Sequence, residues 1–327
     1  MLPLSFASTL FFGIPVSDET IRASVLRGLD RLESAATNYT TNRSCFSCHH
    51  QALPVMALSS AKNRGYKIGD NVIAEQVKFT IDTFKPRTKA IRGGSGIGGA
   101  NTTAAYALLT LKHAGHTQDE TTDALVEFLL KNQKSDGSWQ PTTDRPPSEG
   151  SFFTSTALAL ETLRHYGVEG DEKLPTPLLK ANENGLAYLQ KTKVKSTEDR
   201  VFRIWGLIAA KAPEREIRDA VDDLLNRQRA DGGWSQLDDM ASDAYATGSV
   251  MTVLRKAGIA PRNKGLRNGV RFLIFRQDAS GAWIVTTRSK PIQKLFDNGD
   301  PGGKSQFISI AATGWAVMAL MEQIERK

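Results

Sequence analysis

Residues 128–139 read FLLKNQKSDGSW, and two later stretches align with them without gaps. Residues 224–234 read LLNRQRADGGW, and residues 272–283 read FLIFRQDASGAW. In each stretch a glutamine lies six residues before a tryptophan, and a glycine lies two residues before it. The pattern indicates a helix that ends at the glutamine, a turn at the glycine, and a tryptophan at the start of the next loop. Since an indole beside a primary amide can stack and donate hydrogen bonds, we expect each motif to tie one helical hairpin to the next.

Amphipathic helices rich in Ala, Ser, Thr and Gly follow these turns, and their small side chains allow neighbouring helices to approach closely. We expect six such inner helices, at 49–64, 101–114, 151–166, 198–211, 242–257 and 307–323. We expect six outer partners, at 17–32, 71–84, 121–133, 178–190, 214–228 and 264–277. The chain is therefore predicted to be all-α, an array of helical hairpins spaced by roughly 40–50 residues.

The three Gln/Trp stretches resemble the QW motif of squalene-hopene cyclases and of the related prenyltransferase-type repeat proteins. The resemblance covers the chain from about Ser17 to its carboxyl end. It implies that the hairpins close into an α/α6 toroid, with parallel inner helices around a central cavity. Periodicity by itself is equally consistent with an open array. We therefore expect residues 17–327 to form one toroid domain, with Trp139, Trp234 and Trp283 in equivalent positions.

Parallel inner helices bring the loops that lead into them to one mouth of the ring. These loops are expected at 33–48, 85–100, 140–150, 191–197, 235–241 and 284–306. They include the longest and least regular segments of the chain, so we expect binding or chemistry at this mouth. Aromatic residues of the inner helices are candidates to line a central cavity: Tyr106, Phe153, Trp205, Tyr245 and Trp315.

Residues 1–16 are mostly apolar and precede the first predicted helix. They are interpreted as an apolar arm or as the remnant of a signal peptide, although they lack a basic start and a small-x-small cleavage site. No apolar run in the sequence approaches the roughly 20 residues that cross a bilayer. The net charge of +7 is scattered along the chain. We therefore expect no nucleic-acid binding, while a weak association with anionic membrane surfaces stays open.

Both cysteines of the protein lie in the segment SCFSCHHQ, residues 44–51. Their C-x-x-C-H spacing is the attachment pattern of c-type haem, in which the thiols bind the vinyl groups and the following histidine ligates iron. We therefore predict haem c at Cys45 and Cys48, with His49 as the iron ligand. Such a protein would transfer electrons to a redox partner or bind a small ligand. Because haem is attached outside the cytoplasm in bacteria, the motif also predicts a periplasmic location.

Other chemistries of this segment stay open. Zinc bound by the two cysteines and by His49 or His50 is one alternative, because zinc favours sulfur and imidazole ligands. A disulfide or redox dithiol and a pair of inert thiols are the others. Protein prenyltransferases of the same ring fold hold a zinc ion, but their ligands are scattered along the chain, so none can be carried over.

The sequence does not determine a sixth iron ligand. Its candidates are Met56, His113, His116 and His165, and an open or water-bound position is equally consistent. We expect His49 in the first turn of the first inner helix, with the glycine-rich loop at 93–99 beside the haem. Arg43 and Arg92 lie on mouth loops and are candidates to bind the propionates.

Squalene-hopene cyclases protonate an alkene with the acid of a D-x-D-D motif, and this chain lacks that motif. Asp243 is the candidate catalytic acid, although we expect it at the amino end of the fifth inner helix, where a carboxylate is a good cap. Three hypotheses follow: a haem protein, an enzyme acting on an apolar isoprenoid inside the ring, and a binding or scaffold protein. Whether the chain is an enzyme, and its oligomeric state, stay open.

Overall fold

The computed structural model describes residues 16–167, 175–290 and 295–325, so all of the predicted arm except Val16 lies outside the described residues. The helices in chain order are α1 (Asp18–Asn42), α2 (Leu53–Lys62), α3 (Val72–Phe84), α4 (Thr88–Arg92), α5 (Ala100–His113), α6 (Glu120–Asn132), α7 (Phe152–Tyr166), α8 (Thr176–Lys191), α9 (Thr197–Ala209), α10 (Glu214–Leu225), α11 (Ala244–Lys256), α12 (Lys264–Arg276) and α13 (Gln306–Met321). A π-helical turn, Cys48–Ala52, precedes α2. Short 3₁₀ turns lie at Lys85–Arg87 and Gly303–Ser305, and β1 (Trp234–Ser235) pairs antiparallel with β2 (Ser242–Asp243).

Six of these helices form an inner ring. Helix α2 packs against α5, α5 against α7, α7 against α9, α9 against α11, and α11 against α13, which returns to α2. The outer helices α1, α3, α6, α8, α10 and α12 each pack on at least one inner helix. This closed ring of six helical hairpins confirms the all-α toroid expected from the sequence.

Capping residues and small residues explain where the inner helices begin and how closely they pack. Ser151, Ser196 and Asp243 cap α7, α9 and α11 through their side-chain oxygens. At Gly248 on α11, an added Cβ would lie 2.8 Å from the backbone of Trp315 on α13. This approach excludes any larger residue, as expected for a ring of small-residue helices.

The three repeated tryptophans occupy equivalent, fully buried positions, as predicted. Each indole Nε1 donates to a carbonyl ten residues earlier, at 2.7–2.8 Å: Trp139 to Leu129, Trp234 to Leu224, and Trp283 to Leu273. Each tryptophan backbone N–H donates to a threonine hydroxyl of the following inner helix, at 3.0–3.1 Å: Thr156, Thr247 and Thr313. The motif thus connects an outer helix, its turn and the next inner helix.

The glutamine of each motif joins its own turn to the next outer helix. Its amide donates to the carbonyl of the turn glycine and to a carbonyl of the neighbouring outer helix: Gln133 to Gly137 and Ala181, Gln228 to Gly232 and Gly265, and Gln277 to Gly281 and Ser24. The contact of Gln277 reaches α1 at 2.9 Å and so closes the outer ring. These bonds confirm the prediction that each motif ties neighbouring hairpins together.

Helix α13 is the most apolar helix, and Phe307 is the only one of its residues that is not buried. It packs against α1, α2 and α11, so its apolar side chains belong to the core. Within the described ranges, no helix combines the length and the apolar character that spanning a membrane requires.

Three boundaries differ from the predictions. Helix α1 continues to Asn42, so most of the segment 33–48 is helical, because Ala35, Ala36 and Tyr39 keep a buried face at helical spacing. The segment 85–100 contains α4, whose Ile91 is buried. The first inner helix begins as the π-helical turn rather than as an α-helix at residue 49.

The aromatic residues of the inner helices do not all face the ring axis. Phe153 packs against Tyr188 on the outer helix α8, with ring centroids 5.7 Å apart, and is not among the residues that line the mouth cavity. Trp205 and Trp315 pack edge to face, 6.1 Å apart, and both are buried. Tyr245 lines a cavity at the ring mouth.

Candidate functional site at the ring mouth

A cavity of about 390 Å³ opens where the inner helices begin. Its wall combines thiol, imidazole, aromatic and cationic side chains with the backbone of the glycine-rich loop: Cys45, His49, Gly99, Arg145, Tyr245 and Phe307 are among them. Arg43 also lines it, as predicted. Arg92 is not among the residues that line it, and its guanidinium pairs with Glu127 on α6, so its role as a propionate ligand stays a prediction. The cavity is therefore the place where the chemistry of the motif can act.

The two cysteines have different surroundings. Cys45 is exposed, lines the cavity, and has its Sγ 3.4 Å from the hydroxyl of Tyr39. Cys48 is buried, and its Sγ donates to Glu149 Oε1 at 3.2 Å. Burial and the neighbouring Glu149 carboxylate hold the pKa of the Cys48 thiol well above its usual range. Both are free thiols, so the structure has no disulfide between them.

His49 lies in the π-helical turn, at the cavity wall. Its ring stacks on Phe307, with centroids 4.6 Å apart, and its Nδ1 lies 2.9 Å from Ser47 Oγ. Burial lowers the pKa of His49 well below its usual range, and the neighbouring His50 and Arg145 lower it further. The imidazole is therefore neutral at physiological pH, which is the form that coordinates a metal.

His50 points away from the cavity into a buried polar cluster. Its Nε2 lies 2.8 Å from Asp300 Oδ2, and Asn298 donates to the same oxygen at 2.7 Å. Arg31 lies 3.6 Å from the other oxygen of Asp300. Burial lowers the pKa of His50 although the bond to Asp300 raises it. This cluster could not be recognised in the sequence, because Asp300 lies 250 positions from His50.

None of the four candidates for a sixth iron ligand lines the mouth cavity. Met56 is buried within α2. His113 and His165 lie in the last turns of α5 and α7, at the far end of the ring, and His116 follows α5 and contacts Asp119 at 3.0 Å. Among the described residues, no three His, Cys, Asp or Glu side chains are grouped so as to hold a metal ion.

Asp243 caps α11, as expected. Its Oδ1 accepts from the backbone N–H of Ala246 at 2.9 Å, and its Oδ2 accepts from Gln236 at 3.0 Å. Burial raises the pKa of Asp243. These two bonds account for its position, while its role as a catalytic acid stays a prediction.

Glu198 is a buried acid that the sequence analysis missed. It lies in the first turn of α9 and accepts hydrogen bonds from Thr154, at 2.9 Å, and from the Tyr245 hydroxyl, at 3.4 Å. Burial raises the pKa of Glu198 to about 7. An acid in a first helical turn is so common that its sequence position gave no distinguishing signal.

The fold is an α/α toroid, and its Gln/Trp motifs resemble those of squalene-hopene cyclases. Residues 186–327 match the family described as the squalene-hopene cyclase C-terminal domain, which confirms the resemblance carried by the Gln/Trp motifs. No curated protein matches the sequence.

Solved structures share the fold at low sequence identity. A variant of the type II terpene cyclase MstE from Scytonema, in complex with merosterolic acid A (product), is 14% identical, with a TM-score of 0.61 over 93% of this chain and 97% of its own. A possible member of the GH105 family from Klebsiella pneumoniae is 12% identical, with a TM-score of 0.57 over 98% of this chain and 97% of its own. Since a terpene cyclase and a possible GH105 member share one toroid, the fold does not by itself select a reaction.

Proposed function

We propose that the mouth cavity holds one haem, attached to Cys45 and Cys48 and ligated by His49. The observation that carries this proposal is that Cys45 and His49, two members of one C-x-x-C-H motif, line the same cavity. A motif that formed only part of the core would not bring a thiol and an imidazole to one cavity wall.

The residues around the cavity fit the group. Tyr39, Phe46, Phe296 and Phe307 give it apolar walls for a flat macrocycle, while Arg43, Arg145 and Lys304 supply cations for propionates: all seven line it. The thiol of Cys48 does not line the cavity, but it donates a hydrogen bond to Glu149, which does. Haem, when bound, supplies a one-electron couple and a site for small ligands.

The side chains of this protein would orient the haem, and the open mouth of the cavity would leave the haem accessible from outside. Phe307 and Ser47 fix the ring of His49, and burial keeps that ring neutral. A redox partner protein would approach the mouth, because the cavity opens there. The proposal also implies an extracytoplasmic location, where covalent attachment takes place.

The test is a pyridine haemochrome spectrum of the full chain, co-expressed with the cytochrome c maturation machinery. We expect about one covalent haem per chain, and none in the double variant Cys45→Ala/Cys48→Ala. The matched control is His165→Ala, far from the mouth, which should load like the wild type. A wild-type chain that stays free of covalent haem under these conditions would falsify the proposal.

An isoprenoid ligand is the second candidate for the same cavity, and the structural comparisons support it more directly than they support haem. A type II terpene cyclase in complex with geranylgeranyl dihydroxybenzoate (substrate) has a TM-score of 0.59 to this chain at 12% identity. The aromatic wall of the mouth cavity suits an apolar chain as well as a macrocycle. Titration of the haem-free chain with geranylgeraniol, followed by the change in Tm, tests it. No change in Tm at saturating ligand would rule this candidate out.

A further inference from the structure

The carboxyl group of Glu198 is buried without a cationic partner. Its residue is 4% exposed, and no ion pair to it occurs within the described residues. Oxygen Oε1 accepts from the hydroxyls of Thr154 and Tyr245, whereas Oε2 is buried and has no hydrogen-bond partner there. A buried carboxylate in such surroundings would be costly, so the group has a reason to hold a proton.

The charged and titratable groups around Glu198 come from several elements. Asp199 on the same helix raises the pKa of Glu198, while Arg288, on the segment before α13, and the hydroxyl of Tyr245 lower it. Tyr106 on α5 also interacts with it electrostatically. Burial outweighs these neighbours and raises the pKa of Glu198 to about 7.

Tyr245 connects this carboxyl group to the mouth cavity. Its side chain forms part of the cavity wall, and its hydroxyl donates to Glu198 Oε1. A charge that enters the cavity therefore acts on Glu198 across a single side chain, through a part of the protein that excludes water.

We propose that Glu198 is a proton-binding site linked to the charge of the occupant of the mouth cavity. When negative charge enters the cavity, the carboxylate takes a proton from water and forms an O–H bond. When positive charge enters, that bond breaks and the proton returns to water. The inference goes beyond the haem proposal, because it holds for any charged occupant.

The first experiment is an infrared titration of the haem-free full chain between pH 5 and pH 9. A protonated carboxyl group has a C=O band that is lost on ionisation, and we expect one such band to titrate near pH 7. Glu198→Gln should remove it. Asp243→Asn, a matched change of the carboxyl group that caps α11, should leave it in place.

The second experiment places charge in the cavity without knowledge of the ligand. Cys45 is exposed and Cys48 is buried, so methanethiosulfonate reagents should label Cys45 alone. An anionic sulfonatoethyl label should raise the midpoint of the Glu198 band, and a cationic trimethylammonium-ethyl label should lower it, each by roughly half a pH unit. Cys45→Ala, treated in the same way, should show no shift.

Two results would overturn the proposal. One is a titration between pH 5 and pH 9 in which Glu198→Gln removes no band. The other is an unchanged midpoint with both labels, which would make Glu198 a structural acid with no link to the cavity. If Glu198→Gln does not fold, Tyr245→Phe replaces it: loss of the donated hydrogen bond should raise the midpoint, and an unmoved midpoint contradicts the contact.

Discussion

The third, fifth and sixth repeats differ from the first in how they use the polar side chains of their turns. In the regular repeats, the indole N–H of each motif tryptophan and each motif glutamine amide has a carbonyl partner, as for Trp234 and Gln228. The indole N–H of Trp315, which lies outside the motifs on α13, has no hydrogen-bond partner among the described residues. Around the turn of the first repeat, the buried atoms Gln51 Nε2 and Arg31 Nε have no hydrogen-bond partner among the described residues, and neither has Oδ1 of Asp300, which reaches this turn from the segment before α13. The turn of the first repeat therefore contains buried polar atoms without a hydrogen-bond partner among the described residues.

This difference distinguishes residues that stabilise the toroid from residues that belong to the candidate binding site. A fully paired motif contributes stability, because each buried polar group exchanges water for a protein partner. A partly paired cluster next to a cavity costs stability and is expected where a ligand or an electrostatic role accounts for it. Substitutions in the regular repeats should therefore change stability most, whereas those at the mouth should change pH dependence or binding.

The largest effect is expected from Trp283→Ala. It removes a fully buried indole and its bond to Leu273, so the free energy of unfolding should fall by about 3–5 kcal/mol. Urea unfolding followed by circular dichroism measures the loss. The adjacent control, Ile284→Ala, changes an exposed side chain and should cost less than about 0.5 kcal/mol. Equal losses in the two variants would contradict the structural role of the motif.

Glu198→Gln should change how stability depends on pH. Between pH 4.5, the usual pKa of the acid, and about 7, the folded chain holds a proton that the unfolded chain has released, so wild-type stability falls as pH rises through this interval. The total loss is roughly 3 kcal/mol. The variant should lack this loss, so its stability relative to the wild type should rise by about 2.5 kcal/mol from pH 5 to pH 8, because part of the loss already lies below pH 5.

The measurement for Glu198→Gln is urea unfolding at pH 5 and pH 8. The matched control, Glu214→Gln, changes an exposed acid on α10 and should follow the wild type at both values. A constant difference between wild type and Glu198→Gln would show that the carboxyl group ionises alike in both states.

Gln277→Ala should have a smaller effect, of about 1–3 kcal/mol. It leaves the carbonyls of Ser24 and Gly281 without their amide donor and opens the link between the last motif and α1. Differential scanning calorimetry should show a lower Tm. The control is Gln190→Ala, since Gln190 bonds the exposed carboxylate of Glu216 and should matter little. A Tm shift no larger than that of the control would count against ring closure through Gln277.

Cys45→Ser should have the smallest effect on folding, within about 0.5 kcal/mol, because the side chain is exposed. Under haem-loading conditions it should nevertheless leave only Cys48 to form a covalent link. Mass spectrometry and haem-stained gels measure attachment on the same samples used for urea unfolding. Full, unaltered attachment together with unchanged stability would mean that Cys45 takes no part in the site.

The sequence predicted the ring and its motifs because these depend on local spacing. Gln133 and Trp139 lie on one turn, so their relation is visible in a single stretch. The extension of α1 was missed because residues 33–42 are mostly small or polar, and their burial depends on neighbouring helices. Local spacing therefore predicts hairpins better than it predicts the ends of helices.

The candidate site was predictable only where it is continuous in the chain. Cys45, Cys48 and His49 lie within five residues of one another, so their pattern could be recognised. Glu198 and Tyr245 are 47 positions apart and meet only because α9 and α11 are neighbours in the ring. Such pairs, like the bond between His50 and Asp300, become visible only with the tertiary structure.

The bond from Gln277 to Ser24 has a consequence for the order of folding. It joins residues 253 positions apart, so the loop that it closes is among the longest the chain can form, and its entropy must be offset by contacts already made. Such high contact order places ring closure late. Phe296 and Phe307, which also line the cavity, are synthesised long after the cysteines' segment. The thiols of Cys45 and Cys48 therefore emerge from the ribosome well before the wall that faces them, and are accessible to modification until the ring closes.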